Sequence, residues 1–171
     1  MSEPDHSKII AQAAKAALGP IGFVRQGRSR LWLSDHGFWM RVVQFVPGRW
    51  SRDSYLQVAA HWLWTPMNFL SLDYMPSYNV RSFISVEDPT PFRQLAEEQA
   101  AQAADVSARL ATELNSIEAV ARVLRELVVE LDNSPLSAGR ASKGWLGFNL
   151  ALLTAFSFLD LVVMDFSCFD D

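Results

Sequence analysis

The sequence is poor in the residues that usually build cross-linked or reactive sites. Its 171 residues include one cysteine, Cys168, and three histidines. A single cysteine excludes an internal disulfide and any zinc site made of several cysteines, and it is typical of a reducing compartment. No histidine pair stands at metal-ligand spacing, and no HExxH, GxSxG or glycine-rich phosphate loop is present. We therefore predict no bound metal, no cofactor and no catalytic residue.

Export and membrane signals are lacking as well. The start, MSEPDHSK, has acids and a proline where a signal peptide has a basic stretch and an apolar run, so we predict a cytoplasmic protein. The longest charge-free run near the C-terminus, residues 144–159, is shorter than the roughly 20 residues that span a bilayer. A membrane anchor within residues 144–164 would bury Asp160, which makes it a disfavoured alternative.

Charge is spread unevenly along the chain, although the net charge of −4 is mild. Residues 22–52 contain six arginines and one acid, Asp35, whereas residues 91–171 contain twelve acids and six bases. This early stretch is also rich in tryptophan, and its alternating pattern is typical of β-strands. An arginine-rich and tryptophan-rich sheet is therefore the most distinctive feature of the sequence.

Hydrophobic periodicity predicts the order of the elements. A short helix ends at Gly19-Pro20, and it is followed by three strands in a meander, a loop over residues 65–79 and a fourth strand. Two helices follow, the first starting with Thr90-Pro91 and the second capped by Asn115, and an apolar segment ends the chain. We predict an α+β fold in a single domain, residues 1–171, with an antiparallel sheet of about four strands and helices packed mainly on one face.

Several of these segments resemble a bacterial family known only as domain of unknown function 4304. AALGPIGFVRQGRSRLWL is similar to its opening helix and strand, MRVVQFVPGRW and SYLQVAAHW to its next two strands, and LNSIEAVARVL and FNLALLTAF to its later helices. The resemblance is specific over residues 16–62 and implies one α+β domain, without implying a reaction. The chain departs from the family pattern at Gln44 and Gln57, where asparagine is typical, and at Val46, where glutamine is typical.

The period of two also predicts which side chains share a face. Arg30 and Trp32 share a face of one strand, as do Trp39 with Arg41, and Gln57 with His61, on the following strands. If helices cover the opposite face, these groups form an outward surface suited to binding anions and stacking on rings. The residues that we predict to bind are Arg28, Arg30, Arg41, Arg49, Trp50, Gln57 and His61.

Such a surface favours a binding or interaction module over an enzyme, and an accessory or immunity-like role fits this interpretation. A protein partner is the first hypothesis and a small anionic ligand the second, whereas Asp35, Asp53 and the acidic helices disfavour nucleic acid. Two alternatives stay open. In the first, the tryptophans form the core beneath the arginines. In the second, the protein is a small hydrolase or transferase with His61 as base and two arginines, Arg30 and Arg41, as a clamp for an anionic substrate.

Overall fold

The computed structural model describes residues 6–47, 54–65, 68–77, 83–84, 89–132, 145 and 147–153. Two compact units make up the chain, Met1–Thr112 and Glu113–Asp171. The prediction of a single domain stays a prediction. All candidate site residues that the structure describes belong to the first unit.

The first unit contains two helices and the sheet. Its helices are α1, His6–Leu18, and α2, Pro89–Glu113. Its strands are β1, Val24–Arg25; β2, Leu31–Asp35; β3, Trp39–Pro47; β4, Ser54–Trp62; and β5, Phe83–Ile84. They form one antiparallel sheet in the order β1-β2-β3-β4-β5. The predicted α+β class with an antiparallel sheet is confirmed, and β1 adds a short strand to the meander.

A tight turn after α1 brings the chain back onto the sheet. The 3₁₀ turn Gly19–Ile21 begins with Gly-Pro, and Gly22 follows it at a φ of 85°, a left-handed conformation that glycine adopts without strain. The Phe23 N–H donates to the carbonyl oxygen of Leu18, which closes the end of the helix. The predicted stop at Gly19-Pro20 is therefore confirmed.

One face of the sheet, which we call the closed face, is sealed along its whole length. The registers place on it alternate residues of the three long strands, all of them buried: Trp32, Ser34, Trp39, Arg41, Val43, Phe45, Ser54, Leu56, Val58, Ala60 and Trp62. The chain around α1 lies on this side, since Arg30 Nη2 donates to Ser7 Oγ (2.8 Å) and Arg41 Nη2 donates to the Ile21 carbonyl oxygen (2.9 Å).

The opposite face, which we call the second face, is mixed. Several of its side chains are half-exposed: Leu31, Leu33, Met40, Gln44, Val46, Tyr55 and Gln57. Others on the same face, Val42, Ala59 and His61, are buried. Alternation of burial therefore holds over β2 and the first half of β4 and fails at residues 41–43 of β3 and 58–62 of β4, where the side chains of both faces are buried.

The second unit contains α3, Ile117–Asp132, and a helical stretch at residues 147–153. Ser116, and not Asn115 as predicted, caps α3: its Oγ accepts the N–H of Ala119 at 3.2 Å, in the usual geometry for a cap and the third helical residue. Hydrogen bonds to its own backbone N–H and to the Ser116 side chain lower the pKa of Glu118. No helix in the described part of the chain is long and apolar enough to cross a membrane.

Candidate functional site

The sheet separates the residues that were predicted to form one outward surface. Trp32, Trp39 and Arg41 lie on the closed face and are only 4%, 1% and 7% exposed. Val58 pairs with Val43, so the even-numbered residues of β4 lie on the closed face. Gln57 and His61 are odd-numbered and therefore lie on the second face. The prediction of a shared outward face is therefore wrong, and the alternative that the tryptophans belong to the core holds for Trp32 and Trp39.

Arg41 connects the sheet to the turn after α1. Its Nη2 donates to the carbonyl oxygen of Ile21 and to Ser34 Oγ, both at 2.9 Å. Its guanidinium carbon lies 4.7 Å from the centre of the Phe23 ring, within the range of a cation–π contact. Burial lowers the pKa of Arg41 from its usual value. The side chain that was predicted to face a partner is therefore an internal cross-link.

His36 lies beside Arg41 at the end of the β2–β3 hairpin. Its ring stacks on Trp39, with ring centres 4.8 Å apart, and its Nε2 is sealed from solvent without a hydrogen-bond partner. Burial lowers the pKa of His36, and the positive charge of Arg41 lowers it further, against a smaller opposing effect of Asp35. A neutral ring is favoured at this position.

The basic turn between β1 and β2 is the part of the predicted surface that is exposed. Arg25 folds back and donates from Nε and Nη2 to the carbonyl oxygens of Ser29 and Arg28, at 2.7 and 2.8 Å. Arg28 is exposed, and no acid among the described residues pairs with it. Arg30 is half-buried and bonded to Ser7. Among Arg25, Arg28 and Arg30, all of which the structure describes, Arg28 is the one whose guanidinium has no bonded partner.

The remaining predicted binding residues are not gathered around a common point. Gln57 is half-exposed on the second face and lies directly across from Gln44. Arg49 and Trp50 lie outside the described residues. Among the described members of the predicted site, Arg41 and His61 therefore lie on opposite faces of the sheet, and the site as a whole stays a prediction.

His61 holds the chain that follows β4 against the edge of the sheet. We call residues 68–77 the strap. His61 Nδ1 lies 2.9 Å from Ser71 Oγ and 3.1 Å from Asp73 Oδ2, and the Trp62 N–H donates to the same carboxylate oxygen at 2.7 Å. A β-bridge between Ala60 and Tyr74 adds backbone hydrogen bonds. The predicted loop 65–79 is thus ordered along the described strap.

The His61 cluster does not have the arrangement of a nucleophilic triad. In a triad the histidine uses one ring nitrogen for the nucleophile and the other for the orienting carboxylate. Ser71 and Asp73 both approach Nδ1 of His61. Both side chains therefore share one ring nitrogen, to which the Ser71 backbone N–H also donates at 3.4 Å, and they do not flank the ring as the members of a triad do.

An aromatic group lies at the end of the sheet where β4 leaves it. Trp62 stacks on Trp64 with ring centres 4.9 Å apart, and Trp64 stacks on Phe38 at 6.5 Å. The Leu63 N–H donates to the Phe38 carbonyl oxygen, which joins the hairpin to the end of β4. Leu63 is 40% exposed, and Phe69 at the start of the strap is 62% exposed. We call Phe38, Leu63, Trp64 and Phe69 the aromatic end.

The sequence interpretation did not identify Asp73, Ser71 or the aromatic end. The signal for them was present in part, because HWLW repeats tryptophan at a spacing of two and the loop carries a lone aspartate after two apolar residues. The sequence gives no signal for the β-bridge between Tyr74 and Ala60, because this contact depends on tertiary structure.

Other features of the described residues are less specific. A groove of about 390 Å³ lies between α1 and α2 and is lined by Ile9, Gln12, Ala13, Ala16, Ala17, Arg93 and Glu97. Within the described ranges, no three or more His, Cys, Asp or Glu side chains are placed to hold a metal ion.

Comparison with protein family models, with curated proteins and with solved structures finds no match to this chain. The resemblance to domain of unknown function 4304 stays a prediction. The functional interpretation therefore depends on the geometry of the molecule.

Proposed function

We propose that the protein is a binding module that docks a protein partner on the aromatic end. The observation that carries this proposal is that Leu63 and Phe69 are exposed on the chain that flanks the stacked Trp64 ring in sequence, and that the strap carrying Phe69 is joined to β4 by Asp73. Large apolar side chains gathered at one exposed place are typical of interaction surfaces. Aromatic residues in particular supply much of the binding energy at such surfaces.

The second argument is that the surface is organised before a partner arrives. Asp73 joins the strap to β4 through the Trp62 N–H and the His61 ring. The β-bridge of Tyr74 to Ala60 adds a second attachment, two residues earlier in β4. A segment that is already ordered loses little conformational entropy on binding. Phe69 lies four residues before Asp73, so the clamp limits how far this ring can move.

The third argument is the difference between the aromatic end and the predicted arginine surface. Arg41 is internal, and Arg30 is engaged with Ser7. The basic turn offers Arg28 as its free cation among the described residues, whereas the aromatic end offers two large exposed apolar side chains, Leu63 and Phe69. Burial of apolar area contributes more reliably to association than an exposed charge does.

The hydrolase or transferase hypothesis loses its geometric basis. It needs His61 and Arg41 around one substrate, and the strand registers place them on opposite faces of the sheet. The orientation of the His61 ring by Asp73 is explained by its role in holding the strap. We therefore propose no catalytic function.

The test is a double variant, Leu63→Glu with Phe69→Glu, compared with Val24→Glu. Val24 is 72% exposed on the opposite edge of the sheet, so the control makes the same chemical change away from the aromatic end. Proteins retained by the wild-type chain in its native host are identified, and the affinity of the purified partner is then measured by calorimetry. We expect the double variant to weaken binding by about 30-fold, equivalent to about 2 kcal/mol.

Two results would contradict the proposal. One is a partner whose affinity for the double variant equals its affinity for the wild type. The other is an equal loss with Val24→Glu, which would indicate a general effect of added charge. Circular dichroism and urea unfolding of each variant show that the fold is retained.

A further inference from the structure

Arg41 is a buried cation without a counter-charge. Both hydrogen bonds of its Nη2 go to neutral oxygens, those of Ile21 and Ser34. No carboxylate among the described residues lies within ion-pair distance of it. Asp35, the acid of the β2–β3 hairpin, belongs to the second face by parity and accepts the Gly37 N–H at 2.8 Å. Removing a cation from water is strongly unfavourable unless an anion compensates, and arginine keeps its proton.

Two sealed nitrogens lie at neighbouring positions of the same corner. Arg41 Nε and His36 Nε2 are both inaccessible to solvent and without a hydrogen-bond partner. Ser34 and His36 are two residues apart, and they lie across from Arg41 and Trp39 in the hairpin. Buried polar atoms are satisfied in the great majority of cases. Two orphan nitrogens beside an uncompensated charge indicate that a polar group is missing from this corner.

The corner also has an open side and a further donor. Both hydrogen bonds of Arg41 to described residues start from Nη2, so Nη1 has no partner among them. Unlike Nε, Nη1 is not sealed from solvent. Ser34 Oγ accepts from Arg41, so its own proton is available for another acceptor. Gly22 lies beside the corner, since a Cβ there would be in ordinary van der Waals contact with Ser34 Oγ, at 3.7 Å.

We propose that the Arg41 corner, formed by Ser34, His36 and Arg41 beneath residues 21–23, binds one oxyanion, a carboxylate or a phosphate group. The guanidinium supplies the charge, and the Ser34 hydroxyl supplies a donor. Anion entry offsets the effect of Arg41 on His36, so His36 takes up a proton as the anion binds. This site is independent of the docking surface at the aromatic end.

The experiment measures the thermal unfolding midpoint of the purified chain in sodium phosphate, sodium acetate and sodium chloride at equal ionic strength. Acetate tests the carboxylate class and phosphate tests the phosphate class. We expect at least one of the two to raise the midpoint saturably above chloride, and to do so at lower concentration at pH 6.0 than at pH 7.5. Ser34→Ala and His36→Phe should weaken the apparent affinity by roughly tenfold, the effect of one lost bond to a charged group.

The controls separate a built site from general salt binding. Arg28→Gln removes an exposed cation of the basic turn and should leave the anion response unchanged. The proposal is overturned if neither anion exceeds chloride, or if Ser34→Ala and His36→Phe both keep the wild-type response. Because these two variants leave the Arg41 bond to Ile21 in place, the test does not depend on the folding of an Arg41 variant.

Discussion

The Arg41 corner and the strap hold their charged groups in different ways. At the strap, the Asp73 carboxylate accepts the Trp62 N–H and lies 3.1 Å from Nδ1 of the His61 ring. At the corner, the Arg41 guanidinium faces neutral oxygens and a ring. The first arrangement is complete within the chain, whereas the second lacks its anion. A complete charged cluster is typical of a structural clamp, and an incomplete one of a site that receives a ligand.

Substitution of Arg41 should produce the largest loss of stability. Arg41→Ala removes the connection to Ile21 and leaves a cavity on the closed face, so we expect a loss of about 2–4 kcal/mol. Urea unfolding followed by tryptophan fluorescence measures it. The matched control, Arg28→Ala, changes an exposed arginine and should cost less than about 0.5 kcal/mol. Equal stability of the two variants would show that Arg41 does not hold the turn to the sheet.

Disruption of the strap should cost less, because it lies at the edge of the sheet. Asp73→Ala removes the acceptor of the Trp62 N–H and the partner of His61, and we expect a loss of about 1–3 kcal/mol. The strap should also become a preferred site of limited proteolysis, since its anchoring bonds are lost. Mass spectrometry of early fragments locates the cleavage.

An exposed ion pair provides the control for the strap. Asp105 and Arg109 are paired at 3.0 Å on the surface of α2, and both side chains are 61% exposed. Asp105→Ala should change stability by less than about 1 kcal/mol and should leave the strap resistant to protease. If Asp73→Ala behaves like Asp105→Ala in both measurements, the strap is not held by its carboxylate.

The sequence was sufficient to predict the classes of element but not the environment of single residues. The period of two predicted β2, β3 and β4, and Gly19-Pro20 predicted the end of α1. Parity within each strand was also predicted correctly, since Trp39 and Arg41 do share a face. Alternation within a strand does not predict which face of the sheet is buried. That depends on the face against which α1 and the turn after it pack.

The alignment between strands was the second unknown. Arg41 pairs with Ala60, so the inward residues of β4 are the even ones and His61 faces the other way. A shift of one residue in this register would have placed His61 on the same face as Arg41, as the sequence interpretation assumed. Composition alone does not predict which residue of β4 pairs with Arg41.

Lowering the pH should slightly reduce the folding stability that the Arg41 corner contributes through His36. Burial, followed by the charge of Arg41, lowers the pKa of His36 below its ordinary value of 6.5. A lowered pKa in the folded state means that the unfolded chain binds the proton more tightly. The stabilising contribution of a neutral His36 is therefore fully present above pH 6.5 and is lost as the pH falls below it.

The measurement compares wild type with His36→Gln in urea at pH 7.5 and at pH 5.5, in chloride buffers without carboxylate or phosphate. Wild type should lose more stability between the two pH values than His36→Gln does, because only in wild type does the unfolded chain gain a proton at residue 36 that the folded corner resists. The other titrating groups are common to both chains and cancel in the comparison. An equal loss in the two proteins would show that His36 titrates alike when folded and unfolded, and that the field of Arg41 does not reach it.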